Sequence, residues 1–390
     1  MSQELISRSA DLKRLRDEGL NLEVVDGYLL VRDVPYLDAG GNIKRGMLVT
    51  TLDVNAGVTT KPKKHVIFFS GDYPCNKKGK RIEGIKHTSE KKTLASGVEV
   101  DHSFSNKPPG GYGDYFEKIT TYIKIISGPA KSHDSDITEK TFQVIEDQED
   151  NSVFHYIDSN SSRAEIVSIT DKQKGQKIAI VGLGGTGAYV LDLVSKTPVE
   201  EIHLLDGDTF LQHNAFRSPG AAIVDTLAKH ENKAKYFGAI YSVMHKNVIT
   251  HPVFVTEENV DLLLGMDFVF LCMDSNAHKA IIISRLVETG TPFIDVGIGI
   301  HEANGELLGI VRVTTVTNGY TSHISKRISF SDATNDEYST NIQIAELNAL
   351  NAALAVIKWK KISSFYQDLT REHNTTYTLN TGQLIHEDEA

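Results

Sequence analysis

The stretch IAIVGLGGTGAYV, residues 178–190, constrains the fold more than any other. A short apolar run enters a glycine-rich turn and leaves as an apolar helical run. Gly182, Gly184 and Gly187 have GxGxxG spacing, with Gly185 beside them. Glycine lets the chain turn tightly and lets backbone N–H groups approach a phosphate, which the positive end of the following helix also favours. Asp206 closes the next strand-like run, EIHLLD, 19 residues after Gly187. A carboxylate at that place accepts hydrogen bonds from ribose hydroxyls. A glycine turn can also serve packing alone, and the acid in register is what favours a nucleotide.

Strand-like and helical runs alternate from Lys177 onward. Residues 188–196 read as a helix and 223–244 as mostly helical. ITHPVFV, DFVFLCMD and TPFIDVGIG read as strands, ELLGIVRVTTV as a later antiparallel strand, and NIQIAELNALNAALAVIKW as a long apolar helix. Such alternation predicts an α/β domain over residues 177–390, with a doubly wound, Rossmann-like and mainly parallel sheet. The acidic tail, IHEDEA, reads as loose.

Residues 1–150 read as a smaller α+β domain. The first 20 residues have the spacing of an amphipathic helix. LEVVDGYLLVRDV, MLVTTLDV and HVIFFS are strand-like, and the basic stretch 76–92 is loop-like. Tyr115, Ile119, Tyr122 and Ile126 share one helical face. SGPAKSHDSD reads as the stop of that helix, with a short acidic helix after it. The polar residues 151–176 read as a linker.

Composition excludes several classes. A net charge of −10 lacks the basic footprint of a nucleic-acid binder. The two cysteines, Cys75 and Cys272, cannot build a disulfide framework or a four-cysteine zinc site. No run approaches 18 apolar residues, so no membrane span is expected. The start of the chain is polar, without an apolar signal region, and a cytoplasmic location is the expectation.

Asp206 alone would allow NAD. Asn214 and Arg217, eight and eleven residues further on, are less suited to hydride transfer. Together with Lys229, Lys233 or Lys235 they suit a triphosphate, whose charge they would neutralise. A lone lysine on a helix is also an ordinary solvated residue, so the constellation carries the reading. A second acid, Asp274, ends FVFLCMD on the ligand side of the sheet. It suits either a Mg²⁺ ion shared with phosphates or the cap of the next helix.

These residues resemble the ThiF/MoeB family, the adenylating domain of ubiquitin-activating enzymes, over roughly residues 163–316. GLGGTG, DGDTFLQHNAFR, a lysine and a strand ending in CMD follow the family order. The resemblance implies ATP and Mg²⁺ as cofactors. It puts the ribose on Asp206, with Asp208 and the four turn glycines also binding nucleotide. It puts the phosphates on Asn214, Arg217 and Lys233, with Lys229 as a rival for the lysine. It puts Mg²⁺ on Asp274. Arg163 would reach the nucleotide of the partner subunit in a homodimer.

The reaction so implied is adenylation of the C-terminal glycine carboxylate of a ubiquitin-like protein. Many relatives then pass the acyl group to a cysteine. Cys272 lies in an apolar strand and reads as structural. Cys75, in GDYPCNKKGK, reads as an exposed loop residue with lysines nearby. The chain is therefore expected to stop at the adenylate and hand it on, with a conjugating-type protein as acceptor. The N-terminal domain resembles a ubiquitin-conjugating-like fold, with Tyr73-Pro74-Cys75-Asn76 in place of the His-Pro-Asn turn. That implies a binding platform without conjugating chemistry. A ThiF-like domain behind such a domain is similar to bacterial ubiquitin-like conjugation or sulfur-transfer systems, some of them linked to defence against phage. Three other readings stay open: adenylation of a small molecule, peptide or tRNA base; a nucleotide-binding scaffold; and an NAD(P) enzyme.

Overall fold

The computed structural model describes residues 2–95, 97–146, 152–274, 276–330 and 342–389. The chain forms two compact units, Met1–Glu149 with Ser162–Glu165, and Asp150–Ser161 with Ile166–Ala390.

The first unit begins with two helices, α1 (Ser2–Arg8) and α2 (Ala10–Asp17). The single helix expected there is broken at Ser9, whose backbone is extended and whose hydroxyl accepts from Thr59 N. The strands are β1 (Asn21–Val25), β2 (Tyr28–Leu37), β3 (Ile43–Thr51), β4 (Val54–Asn55), β5 (Val58–Thr59) and β6 (Val66–Ser70). They continue as β7 (Lys86–Thr88), β8 (Lys92–Ala95), β9 (Val98–Val100) and β10 (His102–Ser105). One sheet has the order β1-β2-β3-β6-β10-β7, antiparallel throughout. Leu29, Val31, Leu48 and Phe69 share its buried core with Ile6, Leu12 and Leu15 of the two first helices.

The helix α3 (Tyr115–His133) completes that core through Ile119, Tyr122 and Ile126. It starts where Asp114 accepts from Glu117 N, an N-cap bond. It runs through Pro129 and stops at His133, inside SGPAKSHDSD. Proline removes one helical hydrogen bond, and the burial of Ser127 and Ala130 on the same face holds the helix past it. No acidic helix follows among the described residues 134–146.

The stretch expected as a linker contains α4 (Ser159–Arg163) and α5 (Val167–Thr170). The second unit then runs β11 (Lys177–Val181), α6 (Gly185–Val194), β12 (Glu201–Leu205), α7 (Gln212–Ala215), α8 (Val224–Leu227), α9 (Lys233–Tyr241) and β13 (Val248–His251). Next come β14 (Phe268–Leu271), α10 (Asn276–Thr289), β15 (Phe293–Ala303), β16 (Glu306–Val316) and α11 (Ile324–Arg327). The unit ends with α12 (Ala345–Ile362), β17 (Glu372–Thr378) and β18 (Gln383–Glu389).

The sheet order is β13-β12-β11-β14-β15-β16-β17-β18. The first five strands are parallel and the last three add on antiparallel. Alternation along β11 builds two cores. Ile178 and Ile180 face the cluster with α6, α9 and α12, while Ala179 and Val181 face the cluster with α10. This is the expected doubly wound sheet. The chain winds outward from β11 through β12 to β13, then returns to β14 on the other side. The crevice at the carboxyl ends of β11 and β14 is thus the topological switch point.

Two elements depart from the expectation. The helix expected over 223–244 is divided, α8 and α9 being separated by residues 228–232. The tail is not loose: β18 pairs with β17, and Arg327 binds Asp388 at 2.5 Å and Glu387 at 2.9 Å. No described helix is long and apolar enough to cross a membrane.

Candidate functional site

The turn after β11 needs its glycines for different reasons. Gly182 has φ +88°, and a Cβ there would stand 2.6 Å from Cys272 O. A Cβ on Gly187 would run into Gly182 O, and one on Gly185 into the Asn348 amide. Gly184 differs: nothing lies within 4 Å of its would-be Cβ. Three glycines therefore have no room for a side chain, and Gly184 leaves open space before α6, whose free N–H groups favour an anion.

Asp206 fastens this turn to the end of β12. Its Oδ2 accepts from Leu183 N at 2.6 Å and its Oδ1 from Asp208 N at 2.8 Å. Burial raises its pKa, while the Lys233 charge and the two N–H bonds pull the other way. Lys233 opens α9 and pairs with Asp208 at 2.8 Å. Asn232 sets both. Its Oδ1 accepts from Ala234 N and Lys235 N, and its Nδ2 donates to Asp206 O at 2.8 Å and Asp208 O at 3.0 Å. Asn232 was not expected as a site residue, although an asparagine directly before a helical run is a readable N-cap signal.

A cavity of about 410 Å³ opens at these strand ends. It is lined by Gly182, Gly184, Gly185, Asp206, Asp208, Arg217, Lys233 and Asp274, all singled out in the sequence. Gly187 supports the turn from behind. Asn214 is buried beside the site, and its Oδ1 accepts from Leu211 N at 2.8 Å. Lys229 is exposed and does not line the cavity, so Lys233 is the lysine brought to it. Arg163 belongs with the first unit; it is exposed, with its guanidinium 5.7 Å from the Phe142 ring centroid.

The donors present fit an anionic ligand. Asn214 Nδ2 and Arg217 Nε are buried with no partner among the described residues, an arrangement that costs about 1–3 kcal/mol per group until an acceptor arrives. Among the described residues no group of three or more His, Cys, Asp or Glu could hold a metal ion. A Mg²⁺ ion fits at Asp274 only with phosphate oxygens and water as its other ligands, which is its usual habit.

Neither cysteine sits where a thiolate is favoured. Cys272 lines the cavity, but burial and then the Asp295 carboxylate push its thiol pKa up. Cys75 is buried rather than exposed as expected. Its N–H donates to Leu37 O, its thiol donates to Tyr73 O at 3.3 Å, and burial raises its pKa. The loop folds back through bridges from Cys75 to Leu37 and Arg81, a long-range pairing that local polarity does not announce.

Several lining residues had no signal in the sequence. Phe254 packs against Gly207, where a Cβ would come within 2.5 Å of its ring. His278, Gln343, Asn348 and Asn351 line the other end.

A family model described as the ThiF family matches residues 162–386. A second, described as a domain of unknown function (DUF6791), matches residues 10–159. No curated protein matches the chain. Similar solved structures include E. coli MccB with ATP, at 16% identity over 60% of this chain and 70% of that one, with a TM-score of 0.48. The microcin C7 biosynthetic enzyme MccB in complex with N-formylated MccA has 16% identity over 60% and 70%, with a TM-score of 0.47. Selenomethionine PaaA has 18% identity over 57% and 75%, with a TM-score of 0.45.

Proposed function

The chain belongs to the ThiF family, and from that premise we propose that it uses ATP and Mg²⁺ to adenylate the C-terminal glycine carboxylate of a ubiquitin-like protein. The observation that carries this reading is the convergence of the glycine turn, Asp206, Arg217, Lys233 and Asp274 on one cavity at the switch point.

In the proposed reaction a carboxylate oxygen of the substrate attacks the α-phosphorus of ATP. The bond from that phosphorus to the bridging oxygen of the β-phosphate breaks, and pyrophosphate leaves with the electron pair. Asp206 holds the ribose. The N–H groups around Gly184, with Arg217 and Lys233, take the charge that builds on the phosphates. Asn214 donates its unpartnered N–H to the same anion. Asp274 would hold the magnesium ion, which neutralises phosphate charge when bound. The bound geometry also makes the attack effectively unimolecular.

With both thiols pushed up by burial, the adenylate passes to another protein in this reading. The first unit is the platform for that conjugating-type acceptor. A homodimer, in which Arg163 reaches the nucleotide of the other copy, and a cytoplasmic place in a bacterial ubiquitin-like system belong to the same proposal.

Thermal melting of the full chain tests the nucleotide first. Mg·ATP at about 100 times its dissociation constant should stabilise by about 2.7 kcal/mol. The shift should weaken with chelator and in Asp274→Ala, and pyrophosphate exchange should follow once a substrate is supplied. A shift with NAD and none with ATP would overturn the reading.

A further inference from the structure

The helix α12 is apolar over most of its length, yet two asparagines sit on one of its faces. Asn348 and Asn351 are 1% and 0% exposed, three residues apart, and both line the cavity. Each has one half of its amide occupied. Thr186 Oγ1 donates to Asn348 Oδ1 at 2.8 Å, and Asn351 Nδ2 donates to Gly297 O at 3.1 Å. The other halves, Asn348 Nδ2 and Asn351 Oδ1, are buried with no partner among the described residues. Leucine would fill such positions without that penalty. What remains is one free donor and one free acceptor on the same wall.

Their place along the cavity says what they face. The lining follows the strand ends in sheet order: Val253–Val255 after β13, Asp206 after β12, Gly182, Gly184 and Gly185 after β11, Asp274 after β14, and Val296–Ile298 on β15. Neighbouring strands are about 4.8 Å apart. With ribose at Asp206 and phosphate at the glycine turn, the base lies toward β13. The side of β14 and β15 is left for the acyl group: Asn351 is bonded to Gly297 on β15, and Asn348, bonded to Thr186 in the first turn of α6, stands where the phosphate meets the acyl group.

We propose that Asn348 and Asn351 read the backbone of the substrate's last residue. In an extended chain the N–H and C=O of one residue point to the same side. Asn348 Nδ2 donates to the terminal carboxylate oxygen that becomes the acyl carbonyl. Asn351 Oδ1 accepts the N–H of that same residue. The substrate class is then a polypeptide C-terminus with a free N–H on its last residue; a C-terminal proline, or a small acid without an amide, leaves Asn351 unsatisfied. This inference rests on the adenylation reading.

The test is calorimetric binding to the full chain of three stable analogues of the adenylate. They are 5′-O-sulfamoyladenosine and its N-glycylglycyl and N-(glycyl-N-methylglycyl) derivatives. The glycylglycyl compound should bind tightest, and N-methylation should weaken it by at least about tenfold. In Asn351→Leu the two acyl compounds should bind alike. Equal binding of both to the wild type would overturn the inference, and so would a difference that persists in Asn351→Leu. Failure of both Mg·ATP and sulfamoyladenosine to bind would instead remove the adenylation reading beneath it. The wild-type comparison decides even where the variant does not fold.

Discussion

Gly184 and Gly187 stand three residues apart and should fail in opposite ways. Gly184→Ala meets no atom within 4 Å, so it should leave the melting temperature nearly unchanged and remove most of the shift caused by Mg·ATP. Gly187→Ala drives a methyl into Gly182 O, so it should cost several kcal/mol by overpacking, roughly 1–3 or more, seen as a lower melting temperature without ligand. The lysines offer a similar contrast. Lys233→Ala should slow pyrophosphate exchange by about 100-fold or more, and the exposed Lys229→Ala should leave it unchanged. Equal effects of the two would put the phosphate elsewhere.

A buried lysine gives the first unit a pH signature. Lys118 is 0% exposed, donates to Thr50 Oγ1 at 2.7 Å and Lys64 O at 2.8 Å, and burial lowers its pKa to about 8. Above pH 8 the unfolded chain still binds this proton and the folded one releases it, so stability rises with pH from about 8 to 10.5. Below pH 8 the full cost of burying the charge is present, about 3 kcal/mol. Lys118→Met should remove this slope in denaturant titrations across the window.

At the scale of elements, the break between α8 and α9 positions Lys233. It gives α9 a fresh N-terminus, capped by Asn232, at the place where Lys233 must point into the cavity. Asn232→Ala loses the cap, worth about 1 kcal/mol, and also the two bonds to Asp206 O and Asp208 O. Exchange should therefore fall by more than the stability loss explains. A variant with lowered melting temperature and unchanged exchange would argue that the cap only holds the helix.

At the scale of the molecule, two compact units predict two melting transitions, with Mg·ATP raising only the one that belongs to residues 166–390. Lys118→Met identifies the other, because it alters the first unit alone. A single transition that moves as a whole with ATP would mean that the units unfold together.

The local pattern of the chain determined the order of elements in the second unit and most of its site. Strand and helix periods are local, a glycine turn must directly follow its strand, and Asp206, Arg217 and Asp274 lie at spacings set by those elements. The tertiary structure alone decided which lysine enters the cavity, that Cys75 is buried, that the acidic tail is a strand, and that Asn348 and Asn351 line the cavity. Each depends on a partner far away in the chain: Asp208 for Lys233, Leu37 for Cys75, β17 for β18, Thr186 and Gly297 for the two asparagines. Composition and spacing carry no record of such pairings, because burial and hydrogen-bond satisfaction are settled only when the distant segments pack.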